Sequence, residues 1–440
     1  MYCLKPTKVF ALDVVKDDAD ALERMTRVLS AIGVSEGRVS FFSRKQAYDV
    51  AREIGDWPGD SLAKGACVQY QRPLVFTSVV IGRAAKKDPL VARRPDSVPG
   101  GILEAILGYI TLVKNTHSPG DDKRRNMVCW NTQDFGVMTG CPHGCQYCGD
   151  GRNGKFIAIG CNINEYMEKV VGPVIEKHPG QKCFRMIGWG ADIITFEPEY
   201  GVFASFLTKL AQYENHYGYF HTSSDNVGWV KNVPHRDRLI GVWSLASGKV
   251  SRVIEPGSPT DVARIEAAAK CEKWGVPVRF KLKPVIPVRG WREDYARTIR
   301  RVFERTRPET IGFCVIMWMD FETLGKMLDL DVLDPEYVDE ARKAAGRLKG
   351  IRVGPFPHHV RAQIYRFLIR EVRRWDRKIP VYISTESRQM WYELKDELRQ
   401  DPRRFVCGCN PIEAPGPKML RSKHLCRSTY FYQPQAGRRS

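Results

Sequence analysis

Three cysteines crowd eight residues of the segment TGCPHGCQYCGDG: Cys141, Cys145 and Cys148, in the spacing C-x3-C-x2-C. Thiolates this close in sequence suit a metal centre. Structural zinc takes four ligands, usually as two separated pairs. Here the fourth would have to come from far away, and His143 is constrained inside the loop. Three thiolates fit a [4Fe–4S] cluster with one iron left open to an exchangeable ligand. Of the other ten cysteines, Cys3, Cys67, Cys129, Cys161, Cys183, Cys271 and Cys314 read as small buried hydrophobes. Cys407 and Cys409, with His424 and Cys426, form a weaker candidate for a second metal site.

An open iron next to an apolar strand points to one reaction class. S-adenosylmethionine chelates that iron through its amino and carboxylate groups, and electron transfer into the sulfonium releases a 5′-deoxyadenosyl radical. Pro142, Gly144 and Gly149 help the loop wrap the cluster, and Tyr147 is placed to pack against the adenine. The cluster needs an external electron donor such as flavodoxin or ferredoxin.

The elements that must position this loop are legible in outline. Residues 1–128 read as an N-terminal α/β domain: TKVFALDVV is strand-like, DADALERMTRVLSAIG an amphipathic helix, and PLVFTSVVIG a second apolar strand. The polar stretch 114–126 reads as a boundary loop. From residue 132 strands and helices alternate, FGVMTG, FRMIGWG, YGYFHTSS, LIGVWSLA, VRFKLKPVIP and TIGFCVIMW being the strands. This argues a parallel sheet or a partial (β/α) barrel over 129–320, with chemistry at the C-terminal strand ends. Residues 321–410 read as a C-terminal α/β extension containing IPVYIST, and 411–440 as a flexible basic tail.

Composition sets the class and the partner. The 440 residues are 43% hydrophobic and 27% charged, which excludes a disordered chain or a disulfide scaffold. Lys and Arg number 69 against 50 Asp and Glu, a net charge of +19 that favours a polyanion, with nucleic acid foremost. Basic runs occur at Lys86, Lys87, Arg93 and Arg94, at Lys123, Arg124 and Arg125, and at helical spacing from Arg297 to Arg305 and from Arg366 to Arg377. No apolar run is long enough to span a membrane, and the start shows no signal peptide. A cytoplasmic monomer is expected.

Further residues carry a family resemblance. Glu255-Pro256-Gly257-Ser258, then Arg264 to Ala268, Pro284, and Gly290-Trp291 with Tyr295, together with VMTGCPHGCQYC, resemble the spore photoproduct lyase family over about residues 65–320. The resemblance implies a partial (β/α)6 barrel, DNA as partner, and radical attack on a thymine-derived base. It also implies cofactor contacts from Gly188, Trp189 and Gly190 at the second strand end, from Ser223 and Ser244 at the next two, and from Glu255.

Two positions depart from the family. Its photoproduct lyases return a hydrogen atom from a cysteine whose matching position here is Trp189, and a tyrosine after the last cluster cysteine is Gly149 here. An indole does not donate that hydrogen. A rearrangement can instead take hydrogen back from 5′-deoxyadenosine. The main expectation is therefore an isomerase like those of bacteriophages that hypermodify thymidine, moving a glycyl substituent from a nitrogen to a carbon link. The alternative is repair of thymine dimers with a relocated donor, Cys161, Cys183 or Cys314. A basic DNA-binding protein with a structural cluster and an RNA-modifying radical enzyme are the remaining classes.

Overall fold

The computed structural model describes residues 4–57, 69–149, 154–351 and 353–409. Twelve strands form one sheet: β1 (Val9–Leu12), β2 (Val39–Phe42), β3 (Leu74–Thr77), β4 (Val113–Thr116), β5 (Thr132–Thr139), β6 (Ile157–Gly160), β7 (Cys183–Trp189), β8 (Tyr217–Thr222), β9 (Leu239–Ser244), β10 (Val278–Val285), β11 (Ile311–Val315) and β12 (Val381–Ile383). Their order is β12-β11-β10-β9-β8-β7-β5-β6-β3-β1-β2, with β4 on β5.

Seven neighbours in this order, β5 and β7 to β12, are parallel. The expected six strands gain a seventh because IPVYIST, assigned by sequence to the C-terminal extension, is β12 and pairs with β11. Val128 N–H donates to the Glu386 carbonyl at 2.9 Å, so the chain entering β5 meets the chain leaving β12. The seven strands thus curl toward closure. On the other side β6 runs antiparallel to β5 and parallel to β3, which makes the N-terminal strands a continuation of the same sheet. The stretch 114–126 is not a plain loop. It holds the end of β4 and the helix Pro119–Arg124, tied down by buried Asp122, which accepts from the Met127 region's backbone turn and faces His117.

Strand alternation splits the core in two. Phe184, Phe220, Trp243, Phe280 and Phe313 face the helices and join the large apolar core. The opposite, inner face carries a small cluster of Cys183, Tyr219, Ile240 and Val242. Around that cluster the inner face is polar, with Arg185, His221, Ser244, Lys281 and Lys283 at alternate strand positions. Among the described residues no helix is long and apolar enough to cross a membrane.

Candidate active site

β5 ends in a tight exit that sets the cysteine loop. Gly140 has φ +89°, and a Cβ there would lie 2.1 Å from the Phe156 carbonyl oxygen, so only glycine fits. Its N–H, and the Thr139 hydroxyl at 2.9 Å, donate to the Trp189 carbonyl. Next, the Arg72 guanidinium donates to the Cys141 carbonyl at 2.6 Å. Two backbone bonds then hold the loop to the chain after β9: Gly144 N–H to Pro256 O and Gln146 N–H to Ile254 O, both 2.9 Å. The sulfurs have donors nearby, with His143 N–H 3.5 Å from Cys141 Sγ and the Ser258 hydroxyl 3.4 Å from Cys145 Sγ.

A buried ion pair braces this arrangement. Thr260 caps the helix Asp261–Lys273 and thereby fixes Arg264 in its first turns. Arg264 pairs with Glu255 and also donates to the carbonyls of Pro259 (2.9 Å) and Ser244 (3.1 Å). Glu255 in turn accepts from the Tyr147 hydroxyl at 2.5 Å. Arg264 thus links Glu255, the Ser244 carbonyl and, through Glu255, Tyr147; the sequence reading named it only among the residues that carry the resemblance.

Asp192 organises the second strand end. It accepts from the Thr222 hydroxyl and the Ser223 N–H, each at 2.6 Å, and lies 3.9 Å from His143 Nδ1. Burial raises its carboxyl to about 6. Gly188 and Gly190 border it, Gly190 with φ +64° and Gly188 too close to Ala191 and Met138 for a side chain. The Trp189 backbone adjoins the cysteine loop, but its indole lies over Gly136, donates to the Thr111 carbonyl and carries the Lys114 ammonium 5.3 Å from the ring centroid.

The residues fit a thiolate-held cluster. Three thiols on one enclosed loop sense one another's charge, and burial pushes the Cys141 thiol up to about 12 and Cys145 well above the ordinary range. Thiols so raised ionise readily only against a compensating cation such as iron. Among the described residues no three His, Cys, Asp or Glu side chains converge on a single ion.

The other nominated residues separate. Cys161 lies in the helix-side core, Cys183 at the start of β7 on the inner face, and Cys314 near the end of β11, where its sulfur is 3.7 Å from the Thr385 hydroxyl. Cys409 meets the Lys281 ammonium at 2.7 Å, and Cys407 is buried beside it. His424 and Cys426 lie outside the described residues. The two arginine-rich helices are largely knitted internally: Arg301 to Asp261, Arg305 to Glu266, Arg366 to Glu393 and Glu397, and Arg374 to Glu371.

Residues 133–319 match the family model of spore photoproduct lyase. Among solved structures, a spore photoproduct lyase complexed with dinucleoside spore photoproduct aligns with TM-score 0.56 at 13% identity, covering 86% of this chain and 98% of that one. A mutant of that enzyme with bound S-adenosylmethionine and the dinucleoside gives the same TM-score, identity and coverage. At these identities the likeness is one of fold. No curated protein matches the chain.

Proposed function

We propose that this chain is a radical enzyme that uses a [4Fe–4S] cluster and S-adenosylmethionine to act on a thymine-derived base in DNA. The observation that carries the reading is the enclosed three-thiol loop at the C-terminal end of β5, inside the segment that matches the photoproduct lyase family. Bound together, cluster and S-adenosylmethionine supply a carbon radical that abstracts hydrogen from a substrate.

This chain's residues do the holding. Cys141, Cys145 and Cys148 would hold three irons of the cluster, and Arg72 and Ser258 support the loop through the Cys141 carbonyl and the Cys145 sulfur. Arg264 locks Glu255, which holds the Tyr147 ring at the loop's edge, where it would meet the adenine. Gly188, Trp189 and Gly190 would present backbone groups to S-adenosylmethionine beside Asp192, which Thr222 and Ser223 hold in place. The partner is DNA, the electron donor a flavodoxin or ferredoxin, and the working form a cytoplasmic monomer.

The family match favours scission of a thymine photoproduct as the outcome. Of the three thiols nominated as hydrogen donor, Cys314 is the one on the inner face toward the C-terminal strand ends, so a repair route runs through it. A second reading rests on Trp189. An indole bonded to the Thr111 carbonyl fills the strand end where the family's donor would sit, and this suits rearrangement of a glycyl substituent on thymidine without a protein thiol.

Anaerobic turnover of the reconstituted enzyme on the dinucleoside photoproduct and on glycyl-modified thymidine DNA, read by mass spectrometry, separates them. Release of two thymidines, abolished by Cys314→Ala, establishes repair. A product isomeric with the glycyl substrate, indifferent to Cys314→Ala, establishes rearrangement. Absence of 5′-deoxyadenosine with both substrates refutes the radical function.

A further inference from the structure

Three cations climb the inner face of β10 at alternate positions, Arg279, Lys281 and Lys283, each about 6.6 Å above the last. The lower two are neutralised. Arg279 pairs with Glu309 at 2.7 Å and donates to the Gly408 carbonyl, and Lys281 meets the Cys409 sulfur. Lys283, at the C-terminal end, has no carboxylate partner among the described residues. Its ammonium lies 4.6 Å from the centroid of the Trp318 ring. Desolvation there lowers its pKa, as expected for a cation without an anion.

Trp318 is itself out of place for a core residue. Its neighbours Ile316, Met317 and Met319 are buried, yet Trp318 is 41% exposed. Its φ is +69°, a left-handed conformation that bulky side chains rarely adopt. Thr385, on the adjoining loop after β12, is also left-handed at φ +56° and donates to Met317 Sδ at 3.2 Å. Two strained, linked loops therefore hold an indole outward at the strand ends. An exposed indole offers a stacking face, and an ammonium without an anion beside it offers a charge.

We infer that Lys283 and Trp318 form a nucleoside-phosphate subsite, the base stacking on the indole and the phosphate taking the ammonium. The inference rests on the DNA reading above and deepens it, since it places the nucleotide on β10 and β11, four and five strands along from the cluster loop on β5. The phosphate belongs either to a DNA strand or to a free nucleotide.

The test uses full-length protein and a fluorescein-labelled single-stranded thymidine decamer, read by anisotropy over a salt series, with thymidine 5′-monophosphate as competitor. Trp318→Ala should weaken binding about tenfold and Trp318→Phe much less. Lys283→Gln should lower the slope of log affinity against log salt by about 0.7, and Lys283→Arg should restore it. Trp318→Gly separates site from scaffold: glycine accepts the left-handed backbone, so its melting temperature should hold or rise while binding falls. Displacement of the decamer by thymidine 5′-monophosphate at comparable concentration assigns the phosphate to a nucleotide, and failure to displace assigns it to a strand. Wild-type affinity and salt slope in both Trp318→Ala and Lys283→Gln would overturn the subsite. A wild-type protein that binds neither probe would overturn the DNA reading itself.

Discussion

The two ends of the sheet's inner face use the same residue types to opposite effect. At the N-terminal ends of the strands, charges cancel: Asp134 with Arg185, Arg279 with Glu309, and Lys281 with Cys409. The C-terminal ends carry the three clustered thiols, an ammonium with no carboxylate partner among the described residues that lies over a ring, and two left-handed side-chain-bearing residues, Trp318 and Thr385. Thiols, lysines and carboxylates thus close the floor and equip the mouth. The difference is compensation. Apart from the Glu255–Arg264 pair that braces the cysteine loop, the buried charges with partners on the inner face lie on the floor.

Substitutions at the two ends should separate accordingly. The largest effect is at the mouth: Cys141→Ala, Cys145→Ala or Cys148→Ala should each drop iron from about four per chain to near zero. Cleavage of S-adenosylmethionine should fall to background while far-ultraviolet circular dichroism stays unchanged. Arg264→Met leaves the Glu255 carboxylate buried and unpaired, which should cost about 3–5 kcal/mol by urea unfolding. The double variant Arg264→Met/Glu255→Gln should recover much of that loss.

The floor should respond more mildly. Arg279→Met strips a charge-assisted bond, but Glu309 keeps some contact with solvent, so about 1–3 kcal/mol is expected. Its S-adenosylmethionine cleavage rate should match wild type. If cleavage fell with stability, the floor would belong to the site and the contrast would fail.

The smallest effect concerns Cys409. The Lys281 ammonium and the Arg185 guanidinium hold its thiol below the usual range against the opposing effect of burial. The pair's stabilisation is complete above the unfolded thiol's pKa of about 8.5 and is lost as pH falls through the lower folded value. Lys281→Met should move the midpoint of Cys409 alkylation by iodoacetamide to higher pH, followed by peptide mass spectrometry. The stability gap between variant and wild type should widen as pH rises toward 9.

What the sequence revealed follows from how local each signal is. The cysteine loop is legible because its three thiols lie within eight residues and need no fold to be neighbours. The helices Ala19–Ala31 and Val202–Ala211 are legible because their apolar positions repeat with the helical period. IPVYIST was legible as a strand but not as the seventh parallel one, since Val381–Ile383 is three residues long and its partner lies 70 positions back. Nor was β6, four apolar residues that join the N-terminal strands to the rest. Within the site, Tyr147 was read from its place in the cysteine loop, and Glu255 and Arg264 came with the family resemblance. Asp192 and Arg72 escaped because each acts across more than 30 residues of chain. Lys283 and Trp318 escaped for another reason: a lysine in a strand and a tryptophan after one look like core and surface until the missing anion and the left-handed backbone are seen.

The central claim is that Cys141, Cys145 and Cys148 hold a cluster whose open iron takes S-adenosylmethionine. Electron paramagnetic resonance of the anaerobically reduced protein, before and after S-adenosylmethionine is added, tests it directly. The account predicts a reduced [4Fe–4S] signal that changes shape on addition and disappears in Cys145→Ala. A signal unmoved by S-adenosylmethionine, or one that survives loss of Cys145, would contradict it.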